Sequence, residues 1–118
     1  MNNSGDCIAI GALRNSDNGT QSGQVKIYSW DGINWIQKGQ DLNGSANYDS
    51  FGKSVSLDSS GNILAVGAPY HSGNGIGSGQ VKLFQWDGTT WNQLGSEING
   101  DPASEISTQF LFCNKLPI

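Results

Sequence analysis

The residues able to do chemistry are few and widely spaced. His71 is the lone histidine of this 118-residue chain and stands in a glycine-rich stretch, with no Ser or Cys nucleophile motif near it. An imidazole without a nucleophile or an orienting acid beside it reads as a loop residue, not as a general base. Asp41, Asp49, Glu97, Asp101 and Glu105 are the raw material for paired-carboxylate glycoside chemistry, but no spacing singles out a pair. Residues 73–79, Gly-Asn-Gly-Ile-Gly-Ser-Gly, have the glycine content of a phosphate loop. They lack its Lys-Ser/Thr pair, and a strand pattern follows where a helix N-terminus would be needed. The cluster Asp58-Ser59-Ser60-Gly61-Asn62 holds one carboxylate, whereas Ca²⁺ takes about six to eight oxygens, several of them acidic. Cys7 and Cys113 are too few for a disulfide framework or a zinc site. They read as two free thiols, or as one bridge between the two ends if their Cα atoms come within about 7 Å. The expectation is a noncatalytic chain with no cofactor and no metal.

Charge narrows the partners further. The net charge is −4, Arg14 is the single arginine, and no basic run exists. Nucleic acid and anionic membrane surfaces are therefore not expected as partners. The longest apolar runs, such as Ile63 to Val66, are far short of a spanning helix, and residues 1–6 lack the basic and apolar regions of a signal peptide.

The elements that would position any site come from an internal repeat. Ser22-Gly23-Gln24-Val25-Lys26 recurs as Ser78-Gly79-Gln80-Val81-Lys82, an offset of 56. The same offset carries Gly11-Ala12 onto Gly67-Ala68, Trp30-Asp31-Gly32 onto Trp86-Asp87-Gly88, Trp35 onto Trp91, Gly39 onto Gly95, and Asn43-Gly44 onto Asn99-Gly100. Fixed-period self-similarity of this kind marks a repeat architecture. Each unit reads as strands. Val55 and Leu57 alternate with Ser54, Ser56 and Asp58; the Asp58–Asn62 turn follows; and Ile63 to Val66 is a continuous apolar run ending at Gly67. Gln80 to Trp86 forms a third strand with Val81 and Leu83 on one face and Phe84 and Trp86 on the other. Asp87-Gly88 predicts a tight reversal, and Trp91 to Ile98 a more polar fourth strand at an outer edge. Four antiparallel strands whose inner members are apolar on both faces describe a sheet covered by neighbouring sheets, as in a propeller blade.

Phe51-Gly52 followed by Gly67-Ala68-Pro69 resembles the FG-GAP repeat, the blade unit of the β-propeller in integrin α subunits and in many secreted or surface proteins. The first copy has Gly11-Ala12-Leu13 in place of the final Pro. The resemblance implies an all-β fold of β-propeller-type blades. Residues 1–46 are expected as a blade lacking its first strand, 47–104 as a complete blade, and 105–118 as a degenerate tail. Family members often hold Ca²⁺ in the turn between the first two strands; the single acid at Asp58 argues against it here. Phe110-Leu111-Phe112 is a candidate for the missing first strand, pairing beside Cys7 to Gly11. Asp87-Gly88-Thr89-Thr90-Trp91 is also similar to the Asp-box of sialidases, but that box has a residue between Asp and Gly, and sialidase chemistry needs clustered arginines.

The resemblance to adhesion-type propellers implies an extracellular or cell-surface module that contacts a protein or glycan. The loops that vary between the copies are the expected contact surface, with Arg14, Asn15 and Asp17 on one and Tyr70, His71 and Asn74 on the other. The alternatives are a piece of a carbohydrate-active, sialidase-like propeller enzyme and an open repeat that self-associates to complete a propeller.

Overall fold

A computed structural model of the chain describes residues 1–68 and 79–99. The described chain is all-β. A first sheet contains β1 (Cys7–Ala12), β2 (Gln24–Trp30), β3 (Trp35–Gln37) and β4 (Leu42–Asn43). A second contains β5 (Ser54–Leu57), β6 (Ile63–Ala68), β7 (Gln80–Trp86), β8 (Trp91–Gln93) and β9 (Ile98–Asn99). All pairings between strands are antiparallel, in the orders β1-β2-β3 and β5-β6-β7-β8, with β4 on β2 and β9 on β7.

The repeat of the sequence is a repeat of register. Cys7 pairs with Ser29 as Ile63 pairs with Gln85, Trp30 with Trp35 as Trp86 with Trp91, and Val25 with Leu42 as Val81 with Ile98. Every pair keeps the offset of 56. The sequence pattern is the cause: the same apolar alternation and the same turn residues recur, so the same ladder forms twice. Among the described residues, the first sheet has no counterpart of β5.

One expectation is corrected. The outer strand is not continuous from Trp91 to Ile98: it divides into β8 and β9, as the first copy divides into β3 and β4. The cause is a bulge at Gly39 (φ +82°) and Gly95 (φ +75°), which interrupts the ladder after Lys38 N–H and Leu94 N–H have each closed one more bond to the third strand. The tight reversal expected at Asp87-Gly88 joins β7 to β8, with Asp87 N–H donating to the Thr90 carbonyl at 3.1 Å just beyond the Trp86–Trp91 pair. The Asp87 carboxylate accepts the Thr89 and Thr90 N–H groups at 2.8 Å, and Asp31 does the same for Ile33 and Asn34.

The core lies between the two sheets. Cys7, Val25, Ile27 and Leu42 from one face of the first sheet pack on Leu57, Leu64, Val66, Phe84 and Trp91 from one face of the second, with Phe51 among them. Phe51 and Phe84 meet edge to face, with ring centroids 6.3 Å apart. The backbones also approach closely where the sheets join. A Cβ on Gly11 would overlap the Gly52 carbonyl, so a glycine at this position is a packing requirement. Gly52 N–H in turn donates to the Gly67 carbonyl at 3.0 Å, which ties Phe51-Gly52 to Gly67-Ala68 within the second sheet.

Candidate functional site

The loop after β1 and the segment entering β5 run side by side. Tyr48, Ser50 and Phe51 N–H groups donate to the Thr20, Gln21 and Ser22 carbonyls at 2.7, 3.3 and 3.0 Å, and Asn18 Nδ2 donates to the Gly44 carbonyl at 2.8 Å. These bonds zip the two segments into the walls of a cleft of about 510 Å³, lined by Leu13, Arg14, Gln21, Asn47, Tyr48, Ser50 and Lys53. That volume lies within the range of small-molecule sites, about 300–1,000 Å³.

The backbone of this cleft is unusual. Among the described residues the non-glycine positions with positive φ are Gln21 (50°), Tyr48 (64°) and Ser50 (56°), and all three line the cleft. The left-handed region costs an L-residue about 1–2 kcal/mol, so the zipper of backbone bonds must hold these residues there. Such conformations gather at ligand sites because the surrounding structure over-determines them. Arg14 brings a guanidinium to the lining.

Of the sequence-expected contact residues, Arg14 lines the cleft, while Asn15 and Asp17 do not. Asn15 Nδ2 donates to Gln24 Oε1 at 3.3 Å and its Oδ1 accepts Asp17 N–H at 2.9 Å, while Asp17 Oδ2 accepts Gln24 Nε2 at 3.0 Å. Both side chains thus fasten their loop to buried Gln24. Tyr70, His71 and Asn74 lie outside the described residues, as do Cys113 and the Phe110–Phe112 segment. Tyr48, Ser50 and Lys53 were missed because they belong to the connection between the units, where a search for loops that vary between copies does not look. The signal was their position, since a connector between stacked sheets has to cross the joint.

The groups weighed for chemistry have structural employment. Asp58 Oδ1 accepts the Asn62 and Ile63 N–H groups at 2.9 and 3.0 Å, and Ser60 Oγ donates to Oδ2 at 2.8 Å. Burial pushes the Asp58 carboxyl up, but these donors and the Gly61 N–H outweigh it and hold the group below its ordinary value. In the first unit, neutral Asn2 plays the same part, its Oδ1 accepting Asp6 and Cys7 N–H at 3.1 and 3.0 Å. The position therefore acts as a turn acceptor, for which a charge is not required. Asp41 accepts Gln37 Nε2 at 2.6 Å and lies 3.9 Å from Lys26 Nζ. Cys7 is buried, its Sγ 3.8 Å from the Gly61 carbonyl, and burial raises its thiol, the opposite of what a nucleophile needs. No group of three metal-ligating side chains occurs among the described residues.

The segment that holds β5 and β6 is where the chain matches a known repeat. Residues 43–84 match the FG-GAP repeat model. The chain carries an FG-GAP repeat. Phe51-Gly52 and Gly67-Ala68, the residues that the cross-bond from Gly52 N–H to the Gly67 carbonyl joins, lie inside the match. FG-GAP repeats are β-propeller modules, generally noncatalytic and typically extracellular. Among the described residues the two sheets are propeller-type blades and close no ring. No curated protein matches the chain. Among the described residues no helix is long and apolar enough to cross a membrane.

Proposed function

We propose that the chain is a noncatalytic, extracellular FG-GAP propeller module that binds a protein or glycan through the cleft between its two blades, and that the group it grips is an anion such as a carboxylate or sulfate. The observation that carries this reading is the coincidence of the three left-handed non-glycine residues with Arg14 in one cleft. Arg14 offers a planar fork suited to a two-oxygen anion. Tyr48, largely exposed on the opposite wall, offers an aromatic face of the kind on which sugar rings or aliphatic side chains rest.

Titration with a sulfated oligosaccharide and with a short oligoglutamate, followed by amide chemical shifts, tests it. Shifts confined to residues 13–21 and 47–53 and weakened at least tenfold by Arg14→Ala are expected. Resonances unmoved at millimolar concentrations of both probes would remove the cleft as an anion site.

A further inference from the structure

The two blades meet through unlike faces. The first presents Cys7, Val25, Ile27 and Leu42; the second receives them with Leu64, Val66, Phe84 and the Trp86–Trp91 pair. At the rim the contact is specific. Lys38-Gly39-Gln40, the bulge of the first blade, lies over the two tryptophans of the second. Lys38 Nζ sits 5.3 and 5.4 Å from their ring centroids, and Trp91 Nε1 donates to the Lys38 carbonyl at 2.9 Å. Gln40 closes a pair of bonds with the Trp91 backbone, donating from Nε2 to the carbonyl at 2.8 Å and accepting the N–H on Oε1 at 3.0 Å.

Because the units repeat, each half of this joint exists a second time without a partner among the described residues. The outer face of the first blade carries Trp30 and Trp35, packed on each other at 5.4 Å and 56° as Trp86 and Trp91 pack at 5.3 Å and 51°. The outer face of the second carries the bulge Leu94-Gly95-Ser96, the counterpart of Lys38-Gly39-Gln40, with Gly95 and Ser96 exposed. At the rim, exposure tracks the joint at matched positions: Trp35 is 43 % exposed where Trp91 is 3 %, Ile10 49 % where Val66 is 0 %, and Ile98 54 % where Leu42 is 6 %; at the centre of the second blade's outer face it does not, Ile63 being as buried as its counterpart Cys7. Exposed Ile33 extends the apolar patch beside Trp30.

We infer that a second copy of this chain docks head to tail, its Leu94-Gly95-Ser96 bulge and Ile98 covering the Trp30–Trp35 pair, in the geometry by which the first blade covers the second. The contact is heterologous, so it propagates until the rotation closes a ring. With the two sheets of the described residues as the repeating unit, a ring of four to eight blades takes roughly two to four such units. Leu94 lacks the ammonium of Lys38, and Ser96 lacks the reach of Gln40, so the joint between copies is weaker than the joint within one. The inference rests on the blade reading of the two sheets and not on the cleft; a cleft that bound no anion would leave it standing.

Sedimentation equilibrium of the 118-residue chain from micromolar to millimolar concentration tests it. The weight-average mass is expected to rise with concentration from the 12.5 kDa of one chain. The double variant Leu94→Lys/Ser96→Gln, which restores the internal cover, should tighten association at least tenfold. Trp35→Glu and Ile98→Glu, both at exposed positions that leave the fold intact, should each hold the protein at the mass of one chain. An equimolar mixture of those two variants should form a species of two chains and nothing larger, since each keeps the end that the other has lost. A constant one-chain mass for the unmodified protein up to millimolar concentration would overturn the inference, and so would association that Trp35→Glu leaves unchanged.

Discussion

Strands β1 to β4 and β6 to β9 have one pairing pattern and two environments. Their strands, registers and hairpin tryptophan pairs superimpose position by position at an offset of 56, yet Trp35 is exposed while Trp91 is buried under the bulge of the neighbouring blade. The blade fold thus does not depend on burying its tryptophans. What the covered pair adds is the joint. In a repeat protein, stability divides into a contribution intrinsic to each unit and one from each interface between units, and this chain displays the same unit with the interface on the pair and without it.

The sharpest way to break that comparison is to truncate each tryptophan in turn. Trp91→Ala empties a buried site and also orphans the Lys38 carbonyl, and is expected to cost about 3–5 kcal/mol. Trp35→Ala removes a side chain that is 43 % exposed and packs its ring on Trp30 of its own hairpin, and is expected to cost clearly less, about 1–2 kcal/mol. Urea unfolding of the two variants in dilute solution measures both. Equal losses would mean that the pair stabilises its own hairpin and that the joint adds nothing.

The bulge glycines give the next largest contrast. Gly39 and Gly95 share a left-handed backbone, but a Cβ on Gly39 would lie 2.6 Å from the Trp86 ring and 2.8 Å from Trp91, whereas Gly95 faces open space. Gly95→Ala carries the conformational cost alone, about 1–2 kcal/mol. Gly39→Ala adds overpacking of the joint, for a total of about 3–5 kcal/mol. If the two variants unfold at the same urea concentration, the bulge does not touch its neighbour.

A smaller effect is expected at the turn that opens each second strand. Since Asn2 accepts the same two N–H groups that Asp58 accepts, Asp58→Asn should change stability by less than about 1 kcal/mol, and Asp58→Ala, which strands those donors, should cost about 1–2 kcal/mol. Similar losses in both variants would assign the carboxylate a role that its partners in the first unit do not show.

These contrasts also explain what was legible in the sequence. Strands, blade type and repeat were readable because Val25, Ile27, Trp30 and Trp35 recur at one spacing as Val81, Leu83, Trp86 and Trp91, and a pattern written twice is hard to mistake. The split of the outer strand was not, although Gly39 and Gly95 marked it, because an isolated glycine in a strand is equally the mark of a bulge, a bend or a close approach. The cleft was half legible. Arg14 was in view as a loop residue, but Gln21, Tyr48 and Ser50 owe their place to left-handed backbone that three-dimensional zipping imposes, and nothing in their side-chain chemistry announces it. Asn15 and Asp17 show the converse: polar loop residues also serve the scaffold, and here both bond Gln24.

The smallest expected difference separates the two hairpin acids. Asp31 and Asp87 each cap a four-residue loop by accepting two backbone N–H groups, and both are held below the ordinary carboxyl value by those bonds. The second loop adds more. After the Thr90 and Thr89 N–H groups, Asn92 Nδ2 donates to Asp87 at 2.8 Å and Thr90 Oγ1 at 3.3 Å, which takes Asp87 to about 2 from an ordinary 3.8. The first loop has Asn34 in place of Thr90 and Ile36 in place of Asn92, so those side-chain donors are missing. A carboxyl lowered in the folded state stabilises that state above its unfolded value, and the contribution drains away as pH falls through the folded value. For Asp87 that window runs from 3.8 down to about 2; for Asp31 it closes at a higher pH. Side-chain carboxyl carbon shifts followed from pH 6 to pH 1.5 should therefore place the Asp87 midpoint below that of Asp31, and Asn92→Ala should move the two together. An Asp87 that titrated at or above Asp31 in the unmodified chain would show that the backbone alone sets both values, and that at this turn the two units do not differ.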